Sequence, residues 1–340
     1  LILSIRGVLF LMEFRTLLPS EFDAWFDHVA AVFNQYSDLD ASRQYFMNHW
    51  YYDPWRDRHA ILVAMDGDKI ASTLRVFHRQ IYLAGSQYTM GGIGEVSTKE
   101  AYRRQGLSGK LLQMAIDYMG KERLHFSTLG TGTPGHYSRY GWEKVPTYRQ
   151  RAEVSPQSSA QAKLIDLQEP SKLRQIKELY HDYSSQFNGA VVRDSGAYWR
   201  DWVQAELSRG WIPNQLGRGW VLEENGRITA YLMVAKPLTD NYLQVQDFAC
   251  RGDVAACFRR LVQHAVWSLG GNELAQVVFP AVIASDFPVE WDVRHGLMVR
   301  VNNQSLWDKL PEQNVSDLFH GGKEATYGAS RLVEWGIDGF

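Results

Sequence analysis

Apolar side chains recur along this chain at two periods, and the way the periods alternate predicts its elements. Phe22, Trp25, Phe26, Val29, Val32 and Phe33 share one face of a helix that starts after Pro19, where Ser20 can cap the first turn with Asp23 in the third position. AILVAM and KIASTLRVF, separated by Asp66 and Gly67, read as a hairpin, because Asp-Gly suits the positive backbone angles of a tight turn. QYTMGGIGEVST gives a further strand, and from Leu107 onward Leu111, Ala115 and Tyr118 line one side of a helix.

The same grammar returns in the second half. Pro170 and Ser171 precede a helix carrying Leu173, Ile176, Leu179 and Tyr183. GWVLEENGRITAYLMVA repeats strand, Asn225-Gly226 turn and strand, NYLQVQDFA is the next strand, and Val254, Phe258, Leu261 and Ala265 mark the helix after it. Two passes through helix, hairpin, strand and helix argue duplication rather than one large sheet. The expected division is an upstream extension at 1–11, a first domain at 12–155, a second at 160–305 and a tail at 306–340. The Ser-, Gln- and Ala-rich stretch 150–163 is the expected linker.

Composition adds exclusions. The 340 residues, 45% hydrophobic and 22% charged, fit an ordinary globular protein with two cores. A net charge of -2 supplies no basic field for nucleic acid. The apolar run LILSIRGVLFL is too short to span a bilayer and no cleavage site follows it, so no membrane partner is expected. Cys250 and Cys257, read as lying on a loop and the helix after it, have no metal-site spacing; they predict buried free thiols, a reducing cytoplasm and no metal.

The chemistry concentrates in GEVSTKEAYRRQGLSGKLL, residues 94–112, where a strand breaks into a loop before a helix. The first N–H groups of that helix, from Gly106 to Lys110, together with its dipole suit a pyrophosphate. Arg103 and Arg104 can add charge-assisted hydrogen bonds, and Gly106 and Gly109 let a phosphate approach without a Cβ in the way. Gly130, Gly132 and Gly135 also spell GxGxxG, but Tyr137, Arg139, Tyr140, Gly141 and Trp142 predict no following helix, and no acidic residue sits about 20 positions on.

The run Val96-Ser97-Thr98, followed by Arg103-Arg104-Gln105-Gly106-Leu107-Ser108, resembles the acetyl-CoA pyrophosphate loop of the GNAT superfamily, with Ser108 where that pattern has Gly or Ala. LHFSTLGTGTPGHYSRYGWEKV, residues 124–145, resembles the later segment in which a tyrosine precedes a "YGF" or "YGW" turn, with Tyr137 and Tyr140-Gly141-Trp142 in those places. The whole is most similar to the enhanced-intracellular-survival (Eis) group of tandem GNAT proteins. This resemblance implies an α+β protein of two GNAT folds, each a mixed, mostly antiparallel twisted sheet flanked by helices. It implies acetyl-CoA as co-substrate, bound by Val96, Ser97, Thr98, Arg103, Arg104, Gln105, Gly106, Leu107, Ser108 and Gly109. Two departures stand out. The tail of about 35 residues is too short for the sterol-carrier-like domain of that group. Arg251-Gly252-Asp253 occupies the second loop position, so the second half is expected to bind no coenzyme and to serve as scaffold or pocket wall.

The expected reaction is acetyl transfer to a primary amine by direct attack on the thioester. Tyr137 is the expected acid, because a phenol holds its proton at neutral pH until sulfur departs. Backbone N–H groups at Val96 to Thr98 would polarise the carbonyl. In the Eis group an aromatic terminal residue is understood to supply the base through its carboxylate, which here points to Phe340 if it is the true terminus; Glu95 and His136 are the fallbacks. Tyr36, Tyr45, Phe46, His49, Trp50, Tyr51, Tyr52 and Trp55 crowd the region before the first hairpin and belong mostly to packing, some of them available to wall a pocket. The acceptor is expected to be a small-molecule or peptide amine, and a homo-oligomer is compatible with the sequence. The alternatives are a non-catalytic coenzyme-binding or scaffold protein of the same fold, and an acyltransferase using a longer acyl-CoA.

Overall fold

A computed structural model describes residues 2–5, 8–34, 38–208, 215–237, 242–271, 273–308, 310, 314–322 and 330–339. A short hairpin, β1 (Ile2–Ile5) and β2 (Val8–Leu11), opens the chain. The first large sheet comprises β3 (Glu13–Thr16), β4 (Ile61–Asp66), β5 (Lys69–Leu83), β6 (Ser86–Thr98), β7 (Phe126–Gly130), β8 (Glu143–Lys144) and β16 (Leu297–Val301), in the order β3-β4-β5-β6-β7-β16-β8. The second comprises β9 (Thr147–Val154), β10 (Ala162–Leu164), β11 (Gln215–Glu224), β12 (Arg227–Pro237), β13 (Tyr242–Cys250), β14 (Ala275–Pro280) and β15 (Glu290–Arg294), in the order β10-β11-β12-β13-β14-β9-β15. Among the described strands each large sheet has a single parallel pair, β6 with β7 and β13 with β14.

The helices are α1 (Phe22–Phe33), α2 (Leu39–Tyr51), α3 (Leu107–Lys121), α4 (Pro134–Ser138), α5 (Pro170–Ser184), α6 (Gln204–Ser208), α7 (Val254–Gly270), α8 (Gln304–Trp307) and α9 (Val315–His320). None of them is long and apolar enough to cross a membrane. β5 is buried almost end to end because both faces of its sheet are covered. Leu74 and Val76 pack with Leu107, Leu111 and Ala115 of α3, whereas Phe77 and Tyr82 join the core of the second half. The architecture is the expected α+β pair of mixed sheets, and both hairpin turns have the predicted left-handed residues: Gly67 at φ 61° and Asn225-Gly226 at 51° and 76°.

The structure departs from the sequence reading at several places. Ser20 lies in a 3-10 turn and does not cap α1; the Glu21 carboxylate accepts from the Leu18 N–H at 2.8 Å and pairs with Arg15 at 2.7 Å. Cys250 ends β13 rather than lying in a loop, and both cysteines are free, with Cys257 only half-buried. The stretch expected as the end of domain one and the linker holds β9, which inserts between β14 and β15 of the second sheet. Reciprocally, β16 from the second half inserts between β7 and β8 of the first. Each sheet therefore contains one strand from the other half. The segment expected to fade after residue 305 is also built into the molecule, since Leu332, Val333 and Trp335 are buried. There Asn188 donates from Nδ2 to the carbonyls of Leu318 and Phe319, at 3.0 and 3.2 Å, and bridges to Leu332.

Candidate active site

The site is built where β6 and β7 part. Their parallel pairing covers only Met90 to Gly92 against Phe126 to Thr128, so the β7-facing edge of β6 from Ile93 to Thr98 has no strand partner among the described residues. A bulge faces Leu74 here: Thr73 pairs with Ser97 but Arg75 pairs with Gly94, and Glu95 takes φ 55°. Beyond Gly92 that edge of β6 is an open row of backbone groups able to pair with an extended ligand. Ser97 is fixed from behind. His28 Nδ1 donates to the Ile70 carbonyl at 3.0 Å, which leaves Nε2 to accept from the Ser97 hydroxyl at 3.1 Å.

After β6 the chain makes one 3-10 turn and enters α3. Gly106 sits at φ 76° with open space where a Cβ would be, and Arg104 is also left-handed, at 64°. The N-terminus of α3 carries no side-chain cap, so its orphan N–H groups remain free for an anion. Arg103 and Arg104 stand exposed beside it, with Arg103 Nε 3.4 Å from the Thr98 carbonyl. Gln105 Oε1 is buried without a hydrogen-bond partner, and the Leu107 side chain is core, leaving only its backbone for a ligand. Gly109 has a different reason from the one expected. A Cβ there would lie 2.1 Å from the Tyr140 hydroxyl, so the missing side chain admits Tyr140 rather than a phosphate.

The equivalent corner of the second half is closed. Asp253 caps α7 through the Ala256 N–H, and Arg251 pairs with Asp182 at 2.6 Å, so carboxylates already take the place an anion would need. GxGxxG does lead into a helix, contrary to the sequence reading; α4 has five residues, and its Pro134 removes an N–H from the first turn.

Tyr137 lies on α4 beside the gap and packs against Trp142, with ring centroids 6.5 Å apart. Burial raises its hydroxyl above the ordinary tyrosine value, opposed by a hydrogen bond with Thr131. The Ser108 hydroxyl is 3.3 Å from His136 Nε2, which links the start of α3 to α4, and burial keeps His136 below its ordinary value. Glu95 faces away from α3, 3.7 Å from Arg75 and 3.8 Å from His49, and neither carboxylate oxygen has a hydrogen-bond partner. Around it Asp53 binds Arg75 at 2.8 Å and Arg79 at 3.1 Å, while Phe77, Trp55 and Trp202 cover the guanidinium faces. Most of the crowded aromatics thus serve packing; Tyr36 lies outside the described residues.

On the face of the first sheet opposite α3, a cavity of about 350 Å³ opens between the two sheets. Met90, from the stretch of β6 paired with β7, and Thr128, Leu129 and Gly130 of β7 line its side on the first sheet. Arg149, Gln244 and Gln246 come from the second sheet, and Leu332, Trp335 and Gly339 from the returning tail. None of these wall residues was identified from the sequence; the clump Leu332, Val333 and Trp335 was the available signal. Phe340 lies outside the described residues, next to Gly339.

Residues 13–145 match the sequence profile of a family described as "Acetyltransferase (GNAT) domain". These residues form a GNAT domain. No curated protein matches the chain. Solved structures share the fold at low identity. A GCN5-related N-acetyltransferase from Anabaena variabilis aligns over 86% of this chain and 74% of its own, at 14% identity and a TM-score of 0.65. A probable N-acyltransferase from Enterococcus faecalis aligns over 86% and 73%, at 14% identity and 0.67. Eis1 from Mycobacterium abscessus aligns over 86% and 75%, at 14% identity and 0.59. Each likeness runs beyond the GNAT domain into the second half.

Proposed function

We propose that the GNAT domain transfers an acetyl group from acetyl-CoA to a primary amine by direct attack on the thioester. The observation that carries the reading is the gap between β6 and β7, with an uncapped helix N-terminus beside it and a cavity on the opposite face of the same sheet. The α3 N–H groups from Gly106 to Gly109, with Arg103, Arg104, Gln105 and Ser108, hold the diphosphate. Val96, Ser97 and Thr98 pair with the pantetheine arm along the open edge of β6. The amine enters from the cavity, to whose wall the second half and the tail contribute.

In this reading Tyr137 gives its proton to the departing sulfur, and its raised pKa keeps it protonated at neutral pH. The base is the carboxylate of Phe340 where that residue ends the native chain; the place of Gly339 in the cavity wall supports it. Glu95 and His136 do not line the cavity, which favours Phe340 over both.

A thiol-release assay with acetyl-CoA across polyamines, aminoglycosides, amino acids and lysine peptides tests the reading. Tyr137→Phe should lower kcat about 100- to 10,000-fold, the range of general acid catalysis, with the dissociation constant for acetyl-CoA little changed. An unchanged kcat in that variant would remove Tyr137 from the mechanism. Absence of any heat on titration with acetyl-CoA would overturn the enzyme itself, and faster release from a longer acyl-CoA would change the donor.

A further inference from the structure

The cavity has chemically different ends. The one on the first sheet is formed by small and apolar groups, Met90, Thr128 and Gly130. Its middle is apolar, with Ile81, Leu297, Phe319 and Trp335 facing across it. The far end is ionic and lies on the second sheet, where Arg149, Gln244 and Glu334 line both the cavity and a small recess continuing from it.

Arg149 is the unusual group. It is half-buried on β9, where burial and the neighbouring Arg294 push its guanidinium below the ordinary value. Asp292, across the strand pair, is engaged by Arg294 at 3.2 Å. Glu334 is close enough to stabilise the charge of Arg149 but forms no ion pair with it, and no described residue hydrogen-bonds the guanidinium. The other carboxylate in the wall, Asp338, is taken by Arg193 and Tyr198, both at 2.8 Å. A partly desolvated guanidinium facing a cavity with its donors unused is a site for a planar anion.

We propose that Arg149 binds a carboxylate at the distal end of the acceptor, so that the chain acetylates amines whose other end is a carboxylate, separated from the nitrogen by an apolar span. This rests on the cavity being the acceptor site. Burial holds the Glu334 carboxyl above its ordinary value, which weakens it as a partner for Arg149, and with Asp292 also near the guanidinium a single carboxylate suits the site better than a dianion such as a phosphate ester. The balance of the reaction is unaltered. The N–C bond forms as the C–S bond breaks, the electron pair leaves on sulfur, sulfur takes the Tyr137 proton, and the proton lost by the amine passes to the base.

The test uses the full chain, acetyl-CoA and acceptors matched in length: 6-aminohexanoate, hexylamine and 1,5-diaminopentane. The expected result is that the amino acid shows a kcat/KM about 10- to 100-fold above that of the other two, the range of a charge-assisted hydrogen bond, expressed in KM. Arg149→Met should bring the ratio near one by weakening the Michaelis constant of the carboxylate-bearing acceptor alone, and Arg149→Lys should keep part of it. Equal rates for the three wild-type reactions, or a preference for the diamine, would overturn the proposal while leaving the acetyltransferase reading standing. If none of the amines releases thiol, titration with acetyl-CoA separates the cases: binding without transfer to any of them sinks the acceptor assignment, and no binding sinks the proposed function with it. Wild-type selectivity decides the matter even where the variants fail to fold.

Discussion

Gly109 shows that a residue of a loop pattern can lack a side chain for a reason the pattern does not suggest. Its place in the loop pattern suggested close approach of a phosphate, yet the atom that fills the space is the Tyr140 hydroxyl. A Cβ 2.1 Å from that oxygen has to displace the ring, and Tyr140 N–H is itself bonded to the Tyr137 carbonyl at 2.9 Å. Gly109→Ala should therefore cost about 1–3 kcal/mol, the usual penalty of overpacking. Thermal unfolding measures it, and Tyr140→Ala in the same chain should return part of the loss. A Gly109→Ala protein as stable as the parent would show that Tyr140 moves freely. Gly106 is a different case, left-handed with open space where a Cβ would be, so its backbone conformation alone favours glycine there.

Among the elements, the two corresponding helices α3 and α7 separate the halves. Both were visible from spaced apolar residues, and the absence of a paired-arginine loop already marked the second as different. What the spacing could not show is that Asp253 folds back on α7 as its cap. The support behind β6 was equally hidden, since His28 and Ser97 are far apart in sequence and look like ordinary surface residues. His28 has a pKa lowered to about 4, first because it is buried and next because of Lys99. Its folded value is below the unfolded 6.5, so the unfolded chain binds the extra proton between the two. This contribution is complete above pH 6.5 and is lost as pH falls toward 4, by about 3 kcal/mol at most from a shift of that size. His28→Gln should flatten the thermal midpoint across that window relative to the parent. If parent and variant lose stability in parallel, His28 is not the titrating group.

At the scale of the whole molecule the halves are interlocked. β9 and β16 exchange sheets, and the tail passes Asn188 to reach the cavity wall. Asp338 anchors it through the buried Arg193, which also pairs with Asp247. Removing one carboxylate from such a cluster leaves charge uncompensated, so Asp338→Ala should cost about 3–5 kcal/mol. Hydrogen exchange should rise first in residues 330–339, the segment the anchor holds. Uniform protection in that segment would mean that Leu332, Val333 and Trp335 hold it unaided. The same interlock accounts for the misplaced domain boundary: β16 supplies Met298 to the core beneath α3, and a cut after residue 155 would leave that core incomplete.

Local rules along the chain were enough for two hairpins with their left-handed turns, four helices with one apolar face each, and a glycine and arginine loop leading into α3. They were enough because period, turn chemistry and helix-terminus electrostatics act over a few neighbouring residues. Long-range packing set which half each of β9 and β16 completes, what fills the space at Gly109, and the return of an aperiodic tail to the cavity wall. Those outcomes depend on contacts between residues tens to hundreds of positions apart, and a packed core selects them by shape and burial rather than by any repeat along the chain.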